Sequence, residues 1–316
     1  MELTDEFEAA RPRLLSLAHR ILGSLEDAED AVQSTWVRAQ AASHAQVQTP
    51  AAWLTTVTAR LCLDQLRSRQ RRAEMPLFAD MLPSDKLAAD EKFLRREDVS
   101  RALMVLLNQL TPAQRVAYVL HDLFRAPFGE IAVVLDTTPT NAKKLASRAR
   151  QRLAGTDPAS ADEPAQTSGH WRIVDAFLAA ARGGHIDTLI TLMAPDVVRT
   201  ADPAVLPEGG AIEVVGNHAV AEETRYFTDR VHASIPMLVN GTAAVVIAPG
   251  GHPLAAVTFE FKGDSIARIE IARLKRTDEV HPRRATSTSS LAPGGVEAQP
   301  HSHTMPGSGI TARSLR

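Results

Sequence analysis

Apolar residues recur at helical spacing through the first half of the chain and at strand spacing through much of its last third. Thr4, Asp5 and Glu6 read as a helix start, and Phe7, Leu14, Leu17, Ala18, Ile21 and Leu22 form one face that Gly23 ends. Ser24 with Asp27 resembles a capping box, and the helix it opens has Ala28, Ala31, Val32 and Trp36 on its core side. Thr49-Pro50 opens a third helix through Trp53, Leu54, Val57, Leu61, Leu63 and Leu66, since proline at the first helical position removes an N–H that would be unpaired anyway. Residues 1–72 are therefore predicted to be one helical module. From 73 to 97 the period weakens around Pro76 and Pro83, which predicts a linker.

A second helical module is expected over 98–154. It has a helix near 98–109, a capping box at Thr111-Pro112-Ala113-Gln114, and a short helix after Pro127 carrying Phe128, Ile131 and Val134. A tight turn at Asp136-Thr137 leads to a last helix with Ala142, Leu145, Ala146, Ala149 and Leu153 on one stripe. Residues 155–168 lack large apolar side chains and read as a second linker. Beyond it, Trp171 to Ala181, His185 to Met193 and Ala219 to Phe227 read as helices. The runs 212–215, 234–239, 243–248, 254–261 and 265–272 read as strands, with hairpin turns at Asn240-Gly241 and Lys262-Gly263-Asp264. That order predicts an α+β module with an antiparallel meander over 169–276, followed by a disordered tail over 277–316.

Composition narrows the class. With 44% hydrophobic and 23% charged residues, the chain is expected to be globular, and its longest apolar runs fall far short of the roughly 20 residues a membrane helix needs. A cytoplasmic protein without a membrane partner is expected. The single Cys62 excludes an internal disulfide or a cysteine zinc site. The net charge of -2 hides two basic clusters: Arg60, Arg67, Arg69, Arg71 and Arg72 in one, and Lys143, Lys144, Arg148, Arg150 and Arg152 in the other. Such clusters make local phosphate-binding footprints on a chain that is nearly neutral overall, although solvated helix faces have the same composition.

The second cluster lies on the last helix of a helix-turn-helix pattern, a geometry in which that helix enters the major groove. Near the other end, Glu26, Asp27, Glu29 and Asp30 crowd a helix N-terminus, where the macrodipole favours anions. With Gln33 and a Trp36 anchor, they would also suit a basic partner.

Three segments in order resemble extracytoplasmic-function (ECF) sigma factors of the sigma-70 family. DAEDAVQSTWVRA at 27–39 is similar to region 2.2, TPAAWLTTVTARLCLDQLRSRQRR at 49–72 to regions 2.3 and 2.4, and PFGEIAVVLDTTPTNAKKLASRARQRL to region 4. The resemblance implies a core-polymerase contact through Asp27, Glu29, Asp30, Gln33 and Trp36. It implies -10 promoter contacts through Arg60, Asp64, Arg67, Arg71 and Arg72. It implies -35 contacts through Thr138, Thr140, Asn141, Lys143, Lys144, Ser147 and Arg148. The sequence departs from the pattern at Asp136, where glycine is usual, and at Arg60, where asparagine is common.

WRIVDAFLAAARGGHIDTLITLMAPDVV and the VNGTAAVV hairpin resemble the SnoaL-like, ketosteroid-isomerase-type cone fold. The fold class expected is thus two all-α sigma domains followed by an α+β cone domain. The resemblance implies a fused module that modulates sigma activity, partly as a support for it, with room for a small-molecule ligand. If that module were instead an isomerase or cyclase, Asp196, Asp202 and His185 would be its available general bases, although each has a capping role to play, as has Asp187. A stand-alone helix-turn-helix repressor would leave the first 72 residues unexplained. His301 and His303 form an isolated pair in the tail, and no metal, cofactor or catalytic residue is assigned.

Overall fold

In a computed structural model that describes residues 3–42, 49–72, 79, 82–154, 165–275 and 277–283, the first three helices are α1 (Leu3–Leu22), α2 (Leu25–Ala41) and α3 (Pro50–Arg71). They close over Leu14, Leu17, Ile21, Leu54 and Leu63, each 1% exposed or less. The Ser24 hydroxyl accepts from the Asp27 amide at 3.4 Å, as the capping pattern predicts. Gly23 ends α1 with φ +86°, and its amide donates to the His19 carbonyl at 2.7 Å.

The segment expected to be a linker holds a helix, α4 (Ser84–Arg96). Its buried residues are Asp90, Phe93 and Leu94, too few to give a sustained apolar period, so its stability comes from neighbours far away in sequence. After it come α5 (Arg101–Leu107), α6 (Pro112–Tyr118), one π-helical turn at Val119–Leu123, α7 (Phe128–Leu135) and α8 (Pro139–Ala154). The capping box at Thr111 forms in both directions, with the Thr111 amide donating to Gln114 Oε1 at 3.1 Å and the Gln114 amide to Thr111 Oγ1 at 3.4 Å.

The remainder contains α9 (Ala165–Gly183), α10 (Ile186–Leu192), β1 (Met193–Ala201), β2 (Glu213–Val215), α11 (Asn217–Thr224), α12 (Thr228–His232), β3 (Ser234–Val239), β4 (Thr242–Ile247), β5 (Ala255–Lys262), β6 (Ser265–Arg273) and β7 (Val280–Pro282). Helix α9 begins inside the predicted second linker, and β7 lies inside the predicted tail; residues 155–164 and 284–316, with His301 and His303, lie outside the described residues. The sheet order is β2-β1-β6-β5-β4-β3-β7. The expected meander is present from β3 to β6. However, β1 pairs parallel to β6, so the sheet is mixed. Strand β1 was not expected: MAPDVVRTA carries a proline and a register shift between Met193 and Val198, which break the alternation by which a strand is recognised. Asn240 and Gly241 both take positive φ, 52° and 78°, as a two-residue type I′ hairpin turn requires.

The sheet separates two cores. On one face, Val245, Ile247, Ala255, Val257 and Ile269 pack with Trp171, Val174, Leu178 and Leu189 of α9 and α10. On the other, Met237, Val239, Ala244, Val246, Ala256 and Val280 join the core of the first two helical modules. Burial on both faces explains why TAAVVI of β4 shows no polar alternation.

At the joint between modules, Asp90 of α4 is 2% exposed. One carboxylate oxygen accepts from the Leu25 amide at the start of α2, at 2.7 Å; the other lies 2.8 Å from His252 Nε2, just before β5. His19 of α1 stands 3.8 Å from the same carboxylate and packs against Phe93, with ring centroids 4.5 Å apart and planes tilted by 45°. The loop reaches this depth because Gly250 and Gly251 lack a Cβ. One added at Gly250 would meet the Asp90 Cβ at 3.0 Å, and one at Gly251 the Met104 Cβ at 2.9 Å.

Burial lowers the His19 pKa to about 4; Asp90 opposes the shift, and His252, Arg115 and Arg20 add to it. His19 is therefore neutral in the folded chain near neutral pH. Unfolded, it takes up a proton as the pH falls through 6.5, which the folded chain resists until about 4. The stability it contributes is thus complete above 6.5 and is lost on acidification through this window, at up to about 1.4 kcal/mol per pH unit. Denaturant unfolding at pH values on either side of 6 should show this loss in the parent and a smaller one in His19→Leu; an equal loss in both would refute it. Asp90→Ala, which leaves two donors buried without their acceptor, should cost about 3 kcal/mol in the same measurement.

Candidate nucleic-acid interface

Helices α7 and α8 form the expected helix-turn-helix. Asp136 ends α7 in the left-handed conformation, φ 52° and ψ 58°, so aspartate fills the position where glycine is usual, at a modest steric penalty. Its amide donates to the Ala132 carbonyl, which also accepts from Thr137 at 3.0 Å. Thr138 Oγ1 accepts from the Asn141 amide at 3.2 Å, and Asn141 Nδ2 donates to Thr137 Oγ1 at 2.8 Å, which fixes the start of α8. Ala142, Ala146, Ala149 and Leu153 are buried. The other side of α8 presents Thr138, Thr140, Asn141, Lys143, Lys144 and Arg148 to solvent, with Ser147 half-buried. Among the described residues no carboxylate pairs with Lys143, Lys144 or Arg148. Arg150, by contrast, is held by Asp122 at 3.0 Å and braces α8 against the π-helical turn.

The basic end of α3 exposes Asp64, Arg67, Arg71 and Arg72. Arg60 is also exposed, but its guanidinium donates to the Val133 carbonyl on α7 at 2.6 Å, so it ties the two helical modules together. Trp53 is half-buried and packs against the core. On α2, Glu29, Asp30 and Gln33 are exposed as expected. Asp27 is not presented outward with them. It pairs with Arg69 at 2.6 Å and accepts from Gln65 at 2.8 Å, both on α3. Trp36 leans on Phe7 with ring centroids 4.8 Å apart. The acidic run thus divides into Asp27, which clamps the bundle, Glu26, which pairs with Lys86 of α4, and Glu29 and Asp30, which face solvent. Sequence spacing could not make this division, because only the packing of α3 against α2 decides which carboxylate meets Arg69.

The helical modules also meet through Arg115, 5% exposed, which donates to the Arg20 carbonyl at 3.0 Å and to Asn108 Oδ1 at 2.8 Å. Burial lowers its pKa to about 9. Cys62 is fully buried, and burial raises its thiol pKa, so it is an inert core residue.

The α+β module contains a cavity between its sheet and α9, α11 and α12, with Phe177, Val220, Phe227, Val257 and Ile271 among its walls. None of the three general-base candidates lines it. Asp196 and His185 are exposed, and Asp202 accepts from the Ala204 amide at 2.9 Å as a cap. His185 stands at the cap position of α10 without a side-chain cap bond. The polar wall consists instead of residues the sequence did not single out, Arg199, Glu223, Thr224, Arg230 and Ser234. Glu223 is engaged by the Arg199 guanidinium through both carboxylate oxygens. Arg199 also donates to the Ala211 carbonyl at 2.8 Å.

A model of sigma-70 region 2 matches residues 7–72, and a model of sigma-70 region 4 matches residues 100–153. The ECF RNA polymerase sigma factor SigJ of Mycobacterium tuberculosis is 41% identical over 206 residues, 63% of this chain and 64% of that one, so the match spans just under two thirds of that relative. The probable ECF RNA polymerase sigma factor SigI of the same species is 32% identical over 62% of this chain and 68% of its own. A crystal structure of SigJ aligns with 32% identity over 85% of this chain and 96% of that one, at a TM-score of 0.41. An NTF2-like protein from Pseudomonas putida aligns with 14% identity over 34% of this chain and 86% of that one, at a TM-score of 0.25. Two all-α modules in this order, the second ending in a helix-turn-helix, define a protein of the sigma-70 class. Within that class, the chain belongs to the ECF RNA polymerase sigma factors.

The divided acidic run gives a direct test. Asp27→Asn should lower unfolding stability by about 1 kcal/mol by weakening the Arg69 pair, whereas Asp30→Asn should stay within about 0.5 kcal/mol of the parent. Urea unfolding of both variants checks this, and equal effects would contradict the division.

Proposed function

We propose that this chain directs core RNA polymerase to its promoters. Residues 98–154 read the -35 element through Thr138, Thr140, Asn141, Lys143, Lys144, Ser147 and Arg148. Residues 1–72 engage the -10 element through Arg60, Asp64, Arg67, Arg71 and Arg72. Glu29, Asp30 and Gln33 face the polymerase, while Asp27 and Trp36 hold α2 in place. The observation that carries this reading is the exposed face of α8, where three cations lack carboxylate partners among the described residues, on a helix whose entry turn is locked. Phosphates are the natural counter-charge for such a face, and the polar side chains at its N-terminal end are placed for base edges. The chemistry of transcription belongs to the polymerase, so the protein acts with it in the cytoplasm; among the described residues, no helix is long and apolar enough to cross a membrane.

In this reading the α+β module regulates and does not catalyse. The cavity's carboxylate, Glu223, is held by Arg199 through both oxygens, which supports a binding role over a catalytic one. Arg60 donates to α7 while the sheet packs on both helical modules, so the molecule is in a closed state. The -10 and -35 elements are separate stretches of DNA, and the two readers must part to occupy both. Docking of the α+β module thus favours the inactive member of a two-state equilibrium, in which about 1.4 kcal/mol changes the ratio tenfold.

Run-off transcription with core polymerase tests both parts. Lys143→Ala with Arg148→Ala should abolish the upstream footprint near -35 and weaken promoter binding with a reduced salt slope. Removal of residues 165–316 should raise transcription. An unchanged footprint would remove α8 from the interface, and transcription lowered by truncation would show that the third module supports activity.

A further inference from the structure

The cavity of the α+β module has an unbalanced charge at its edge. Its walls are almost wholly apolar, and Glu223 is neutralised by Arg199. Arg230 of α12 is different. Its guanidinium lies over the Phe227 ring at 5.5 Å and donates to the Val205 carbonyl, and among the described residues it has no carboxylate partner. It is half-buried, and burial lowers its pKa with no acid to offset the effect. A desolvated cation beside an apolar chamber is a place where an anion gains more than it would in water.

The space sets the size of the apolar part. The cavity measures about 100 Å³. An apolar cavity of about 150 Å³ holds benzene, so about four carbon atoms fit here. We propose that this cavity is a binding site for a short aliphatic monocarboxylate, whose carboxylate is held by Arg230 and whose body lies among Phe177, Val257, Phe259 and Ile271. The site sits on the element that touches the helical modules. Two residues beyond Arg230, the His232 carbonyl accepts from Arg101 of α5 at 3.4 Å, and Arg101 in turn pairs with Glu91 of α4. The proposal concerns binding alone, so it holds or fails independently of the transcription assay.

Calorimetric titration of the full chain with pentanoate, and with pentanol as the uncharged counterpart, tests it. The parent should bind pentanoate. Arg230→Gln should weaken pentanoate binding about tenfold or more, the loss expected for a charge-assisted pair, and leave pentanol binding unchanged. Pentanol binding by the variant reports that the cavity is intact. If Arg230→Gln loses pentanol as well, Arg230→Lys decides: retained pentanoate binding supports the site, and its loss overturns it. Absence of pentanoate binding to the parent, or equal pentanoate binding by the parent and Arg230→Gln, also overturns the proposal.

Discussion

A single buried carboxylate on α4 joins the first helical module to the α+β module. Asp90 accepts from the first amide of α2 and bonds His252 of the α+β module, while His19 of α1 faces it. A charge at 2% exposure is tolerable only where donors surround it, and these donors come from residues 65 and 162 positions away. The joint therefore exists only when the first helical module, α4 and the α+β module are assembled, and it penalises any other docking by leaving the carboxylate buried without its donors.

The joint supplies specificity more than energy. A buried polar pair contributes little net stability compared with well-packed apolar groups of the same volume. The apolar contribution comes from the sheet, whose outer face buries Met237, Val239, Val246 and Val280 against the helical modules. Each such side chain contributes roughly 1.5 to 3 kcal/mol when fully buried, so their sum exceeds anything the Asp90 cluster adds. The sheet is thus a partition, with one face lining the cavity and the other holding the sigma modules. A change in packing on one face cannot be isolated from the other, because the same strands carry both.

This arrangement gives the two basic surfaces different availability. The polar face of α8 is exposed, whereas Arg60 of α3 is engaged by α7. Arg115 and Arg60, both donating to backbone carbonyls across the boundary between the helical modules, are individually modest bonds, each worth about 1.5 to 3 kcal/mol.

The sequence by itself determined every feature that rests on local physics. The capping signals at Ser24 and Thr111 gave their helices, the stripe of Ala142, Ala146, Ala149 and Leu153 gave α8, and Asn240-Gly241 gave the hairpin. The three ordered motifs were legible for the same reason, since each is a contiguous helix with its own period. Tertiary structure alone decided the rest. Helix α4 and strand β1 have weak local patterns and are held by distant partners, so the pattern reads as a linker at α4 and shows no element over 194–201. The choice of Asp27 as clamp and of Asp30 as solvent-facing, the replacement of His185, Asp196 and Asp202 by Arg199, Glu223 and Arg230 around the cavity, and the meeting of His19, Asp90 and His252 all depend on contacts between residues far apart in the chain. Spacing along a sequence specifies which face of an element is apolar, but not which charged side chains from other elements will be buried against it.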